Sequence, residues 1–169
     1  MFKSSSHVDF KILYNNLLEL VRKKELYIHY NIEDSFTARI FLIFFFTSFL
    51  LIRLKKLPNS KKVSQDIFDN IFHYIELNTR ELGFGDVYVN KKMKILTKSF
   101  YNILLECEKY EKTKHDDFVN FLLLNFYSNK NEKKECSEKL AKFFNVFNDF
   151  SSKLTLESIK KGDIKFNYF

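Results

Sequence analysis

Apolar residues recur along this chain at the three- and four-residue spacing of helices, and the pattern predicts six or seven of them. A first helix runs from about Val8 to Arg22, with Phe10, Leu13, Leu17, Leu20 and Val21 on one side. The stretch Leu26 to Asp34 is less periodic and reads as a connection that packs Tyr27 and Tyr30 against the body. Asp34 or Ser35 can then cap a second helix, because a short polar side chain accepts from the free amides of the first turn. That helix carries the apolar run Ile40 to Ile52 and ends near Leu57-Pro58, and Pro58-Asn59-Ser60 is a loop within one domain.

The third helix spans about Lys61 to Leu82, with Val63, Ile67, Ile71 and Ile75 stacked at i+4 and Phe68 and Phe72 alongside. Gly83 stands where a left-handed C-cap belongs. The fourth helix puts Val89, Met93, Leu96, Phe100, Ile103 and Leu104 on one side and Lys91, Lys92, Lys94 and Lys98 on the other. A fifth opens at His115-Asp116-Asp117, where acidic residues suit the positive helix end. It carries Phe118, Phe121, Leu122 and Phe126. The sixth spans about Glu132 to Ser152, with Cys136, Leu140, Phe143, Phe144, Phe147 and Phe150 as its stripe. A short last helix, Leu154 to Lys161, ends at Gly162, and Ile164, Phe166 and Phe169 make the tail apolar enough to pack back. The expected fold is all-α: one domain over residues 1–169, a bundle of six to seven helices around a largely buried apolar helix.

The run Ile40 to Ile52 is 13 residues without a charge, between Arg39 and Arg53. A membrane span needs about 20 mainly apolar residues, and a run of this length is more often a core helix. Burial on most of its circumference is the main reading, and a membrane-embedded or interfacial segment is the alternative. The N-terminal stretch Met1 to Lys24 lacks the apolar core and cleavage site of a secretory signal, so it reads as mature protein.

Composition sharpens the class. The 169 residues include 21 Phe and 9 Tyr but 3 Gly and 1 Pro, where average usage would give about 12 Gly and about 8 Pro. So few turn-formers cannot build the many hairpins of a sandwich or barrel, nor a glycine-rich phosphate loop. The abundance of Phe, Lys, Asn, Ile and Tyr also fits an AT-rich genome. Cys107 and Cys136 have no metal-ligand partners in sequence and read as thiols of a reducing compartment. His7, His29, His73 and His115 are scattered, and the doublets Glu33-Asp34 and Asp116-Asp117 read as helix starts rather than ligands. There is no nucleophile elbow and no activating motif around either cysteine. No catalytic residue, metal or cofactor is expected, and the chain does not read as an enzyme.

The net charge of +7 has two concentrations. Arg53, Lys55, Lys56, Lys61 and Lys62 fall within ten residues without an acid, and Lys91, Lys92, Lys94 and Lys98 repeat the pattern. Such clusters are either solvated faces or sites for an anionic partner: ribosomal RNA, lipid headgroups or an acidic protein. No nucleic-acid motif accompanies them, so sequence-specific DNA binding is not expected.

The block Arg80-Glu81-Leu82-Gly83-Phe84-Gly85-Asp86-Val87-Tyr88-Val89-Asn90-Lys91-Lys92-Met93-Lys94, followed by Phe100-Tyr101, resembles the ubiquinol–cytochrome c chaperone family. Ile67-Phe68-Asp69 upstream, and Arg39, Arg53 and Leu54 at matching distances, extend the resemblance from about Tyr14 to Phe166. It implies a helical fold without a catalytic centre. It also implies an assembly factor that holds newly made cytochrome b for ubiquinol–cytochrome c reductase, respiratory complex III. A small helical co-chaperone and the ribosome surface are implied partners, and an anionic membrane surface fits the charge. The implied location is the bacterial cytoplasm, or peripheral to the inner membrane, or the mitochondrial matrix side if the source is eukaryotic.

The residues matched to the family are Arg39, Arg53, Arg80, Gly83, Phe84, Gly85, Asp86, Lys91, Lys92 and Lys94. On this reading Gly83 and Gly85 let the loop turn tightly, Asp86 caps the fourth helix or its entry turn, Arg80 pairs with Asp86 or loop carbonyls, and Lys91 on the basic side can meet a partner. Phe41 and Phe46 stand where the family leads one to expect Glu and His, which makes them candidate client contacts of altered character. A chaperone for apolar helices should also show an exposed apolar patch beside its basic clusters. The competing functions are a ribosome- or RNA-associated adaptor and a peripheral membrane protein, both without a respiratory client.

Overall fold

The computed structural model describes residues 10–110 and 115–168. Among them are eight α-helices, one short 3-10 turn and no strand. The expected positions Val8 and Phe169 lie outside the described residues. Helix α1 (Phe10–Arg22) buries Leu13, Leu17, Leu20 and Val21 of the stripe read from the sequence and adds Tyr14, while Phe10 is only partly buried.

The stretch read as a connection is instead a helix, α2 (Lys24–Tyr30). Lys23 is extended and separates it from α1. Leu26, Tyr27 and Tyr30 then meet the core at one-turn spacing, and the Tyr27 hydroxyl donates to the Val21 carbonyl at 2.6 Å. Seven residues hold too few turns for their periodicity to be seen.

Helix α3 (Phe36–Lys55) is the centre. Ser35 caps it, accepting from the Ala38 amide at 3.1 Å. Asp34, the other expected cap, forms a bidentate pair with Arg39 at 2.7 and 2.9 Å. An apolar run on all sides of a helix must be enclosed. Accordingly, α3 packs against α1, α4, α5 and α7, and 72% of its most apolar window is buried inside the protein. It is long and apolar enough to cross a membrane, but here it is a core helix. It ends at Lys55, two residues earlier than expected. Ser60 closes the turn, its hydroxyl reaching the carbonyls of Leu54 at 2.5 Å and Leu57 at 2.9 Å.

Helix α4 (Lys61–Glu81) buries Val63, Ile67, Ile71 and Ile75, as the i+4 spacing predicts. Helix α5 (Asp86–Tyr110) comes next, then α6 (His115–Tyr127). The 3-10 turn Asn131–Lys133 leads into α7 (Lys134–Ser152), whose start was expected at Glu132. Helix α8 (Leu156–Lys160) is shorter than expected because a Thr155–Ser158 capping box starts it. Ile164 and Phe166 of the tail pack back onto the body.

The phenylalanines hold the helices in register. Phe44 of α3 stacks on Phe72 of α4 (centroids 5.4 Å apart) and meets Phe100 of α5 edge-on at 5.2 Å. Phe45 stacks on Phe144 of α7 at 4.8 Å, and Phe46 meets Phe147 edge-on at 4.7 Å. The Phe44 joint fixes the inner face of α5 and so determines which residues α5 turns outward.

Candidate functional site

The block Arg80 to Lys94 forms a corner between α4 and α5 and the first turns of α5. Gly83 takes a left-handed conformation (φ +88°), and its amide donates to the Arg80 carbonyl at 2.8 Å, which ends α4. Gly85 does not share that role: its φ is outside the left-handed range, and a side chain there would meet nothing. Instead its carbonyl accepts from the Val89 amide at 3.0 Å, so Gly85 occupies the cap position expected of Asp86. Asp86 is the first residue of α5, and its carboxylate pairs with Arg80. Arg80 also reaches Glu76 at 2.8 Å, so one guanidinium clips the last turn of α4 to the start of α5.

On this corner Phe84 and Tyr88 stack at 4.3 Å, each nearly half exposed. Leu82 and Val87 stand beside them, Val87 at 86% exposure. The inner side of α5 buries Val89, Leu96, Phe100, Ile103 and Cys107. At 100° per residue, Val87, Lys91, Lys94, Ile95, Lys98, Tyr101 and Leu105 share the outer side. Ile95, Tyr101 and Leu105 are each half exposed, and Lys91, Lys94 and Lys98 are exposed among them. Of the large apolar side chains that are exposed among the described residues, half lie between Leu82 and Leu105. Exposed apolar side chains thus stand among the basic residues of α5. Lys91, Lys92, Lys94 and Lys98 form no ion pair among the described residues, so their charge is open to a partner. Lys92, half-buried, sits at the edge of the stripe.

The remaining expected residues divide. Phe46 is fully buried against Phe143, Phe144 and Phe147, so it is not a surface contact. Phe41 is half-buried, its ring edge-on to Phe126 and stacked over Phe44. Phe46 is therefore a core residue, whereas Phe41 is only partly buried and packs against the edge of the core. Arg53 is also structural: its Nε donates to the Leu154 carbonyl at 2.9 Å, tying α3 to the turn after α7. Arg39 keeps Asp34 as its partner, and that pairing holds the Asp34 carboxyl below its ordinary value. It shares a cavity of about 290 Å³ with Arg22, Phe36 and Leu82, so Arg39 does lie near the corner. The first basic cluster sits at the other end of α5, where Lys55 pairs with Glu108 at 3.0 Å. Cys107 and Cys136 are thiols. No three potential metal ligands converge among the described residues, of which His7 is not one. Thr47 and Ser48, deep in α3, have buried hydroxyls without a hydrogen-bond partner.

The family model described as ubiquinol-cytochrome C chaperone matches residues 28–166, more than four-fifths of the chain. The chain belongs to the ubiquinol–cytochrome c chaperone family. Family membership implies a chaperone's role rather than a catalyst's. The crystal structure of the Cbp3 homolog from Brucella abortus has the same fold, with a TM-score of 0.78 at 22% sequence identity. That match covers 97% of this chain and 92% of the Brucella chain. No curated protein sequence matches this one significantly.

Proposed function

We propose that this ubiquinol–cytochrome c chaperone assists assembly of ubiquinol–cytochrome c reductase by holding newly made cytochrome b on the outer side of α5 and the adjoining corner. The observation that carries the reading is the concentration of exposed apolar side chains between Leu82 and Leu105, interleaved with Lys91, Lys94 and Lys98. A helix of 25 residues is about 37 Å long at the standard rise. A membrane span crosses roughly 30 Å of hydrocarbon, so one span of a client can lie along α5. The stacked Phe84–Tyr88 pair offers rigid aromatic surface at one end, the type of anchor that dominates binding energy at interfaces.

The lysines bring the complex to a negative surface. Anionic lipid on the inner face of the membrane is the partner best suited to a chaperone delivering a membrane protein. The matching location is the cytoplasm beside that membrane, or the matrix side in a mitochondrion. A ribosome surface or a small helical co-chaperone would use the same side of the molecule. The role is non-catalytic and needs no cofactor.

Deleting the gene and measuring cytochrome b together with assembled reductase tests the reading. Both fall if it is right. Unchanged reductase, accompanied by strong salt-sensitive RNA binding, would establish an RNA-associated adaptor in its place.

A further inference from the structure

A cleft of about 430 Å³ opens between the end of α3, the start of α4 and the second half of α5. Its two ends differ in chemistry. Leu51, Phe68, Phe100 and Leu104 line an apolar floor, and Tyr101 forms a wall that continues into the outer stripe of α5. At the other end stand Lys55, Lys61 and Ser64. The rim acid, Glu108, is already neutralised by Lys55 at 3.0 Å. Lys61 forms no ion pair among the described residues and is exposed. Lys61 also begins α4, a helix whose N-terminal amides no side chain caps, because the Ser60 hydroxyl is committed to the carbonyls of Leu54 and Leu57. The positive end of a 21-residue helix therefore adds to the lysine's charge.

From this arrangement we infer a binding site for a single-chain anionic amphiphile, such as a fatty acid or the acyl arm of an acidic lipid. The carboxylate or phosphate lies against Lys61 and the first turn of α4, and the hydrocarbon chain covers Phe68, Phe100 and Leu104. The volume falls in the range of sites that enclose small ligands. The separation of charge from apolar floor favours this ligand over a peptide, whose backbone would bring unsatisfied polar groups onto the floor. The cleft adjoins the outer side of α5 at Tyr101, but its test involves no client and reads out separately from it.

The test uses calorimetric titration of the full chain with decanoate below its micelle concentration, alongside decanol and decyltrimethylammonium. Decanoate should bind saturably with one site per chain, and the cation should not bind. Lys61→Glu changes an exposed residue and leaves the fold intact by circular dichroism. It replaces an attraction by a repulsion and should weaken decanoate at least about tenfold, about 1.4 kcal/mol or more. Ser64→Trp fills the cleft and should abolish binding. Flotation with phosphatidylglycerol vesicles identifies the source. Binding to decanoate and to vesicles, both lost in Ser64→Trp, supports a lipid drawn from the membrane; binding to decanoate alone supports a free amphiphile. Vesicle binding that Ser64→Trp leaves intact, without decanoate binding, overturns the proposal, as does equal affinity for decanoate and decanol.

Discussion

Replacing Phe46 by Ala discriminates most sharply between a core role and a client role for the central helix. The Phe46 ring is fully buried, 4.7 Å from Phe147, 5.8 Å from Phe144 and 6.0 Å from Phe143, centroid to centroid. Its removal forfeits the transfer energy of the ring and leaves a cavity bounded by three other rings. These neighbours cannot collapse into it without breaking their own packing against α3. Truncations of this kind cost about 3–5 kcal/mol, set against a total stability of about 5–15 kcal/mol. For a chain of 169 residues the same loss lowers Tm by roughly 6–20 °C. The assay is urea unfolding followed by far-UV circular dichroism, with Val87→Ala as control. Val87 is 86% exposed, so its truncation should change stability by no more than about 0.5 kcal/mol. A Phe46→Ala cost below about 1 kcal/mol would refute the placement of that ring in the core, and with it the case for moving the client surface to α5.

Other expected outcomes concern backbone, polar and titratable groups. Gly162→Ala should destabilise far more than Gly83→Ala in the same assay. Both glycines have positive φ, but a Cβ at Gly162 would sit 2.7 Å from the Leu13 amide nitrogen, while one at Gly83 meets nothing; backbone strain alone at Gly83 costs about 1 kcal/mol. Thr47→Val should raise stability by roughly 1 kcal/mol, because the hydroxyl it removes is buried without a partner. In alkali the protein should weaken. Burial pushes the Tyr14 and Tyr27 phenols up to about 12 from 10.0, so the unfolded chain loses these protons first. Stability is therefore full below pH about 10 and falls between about 10 and about 12. Tyr14→Phe should flatten that fall in urea midpoints measured across the range, and an unchanged slope would contradict the assignment.

Much of the fold was legible in the sequence, because long amphipathic helices repeat their spacing many times. Val63, Ile67, Ile71 and Ile75 needed only the i+4 rule to find their place. Gly83 was legible for a different reason: a left-handed cap after a periodic segment is a local requirement. Where the reading failed, the deciding interaction was tertiary or too short to repeat. Helix α2 depends on Lys23 turning extended and on Tyr27 reaching Val21, neither of which leaves a mark in a seven-residue pattern. Gly85 took the cap position and Asp86 became the first residue of α5, its carboxylate paired with Arg80. Phe41 and Phe46 were singled out by difference from the family, yet nothing in a wholly apolar run says which side faces outward. The four helices around α3 answered that. The proposed client surface was half visible. Lys91, Lys94 and Lys98 marked the outer side of α5, but Val87, Ile95, Tyr101 and Leu105 shared their sector and were masked by the charge between them.

The outer side of α5 is the proposed seat of the client. A photo-crosslinking residue placed at Ile95, or at the similarly exposed Val146 of α7 as a control, tests it during synthesis of cytochrome b in cells. An adduct with newly made cytochrome b is expected from position 95 and none from position 146. Equal adducts from both positions, or none from position 95 while reductase still assembles, would contradict it.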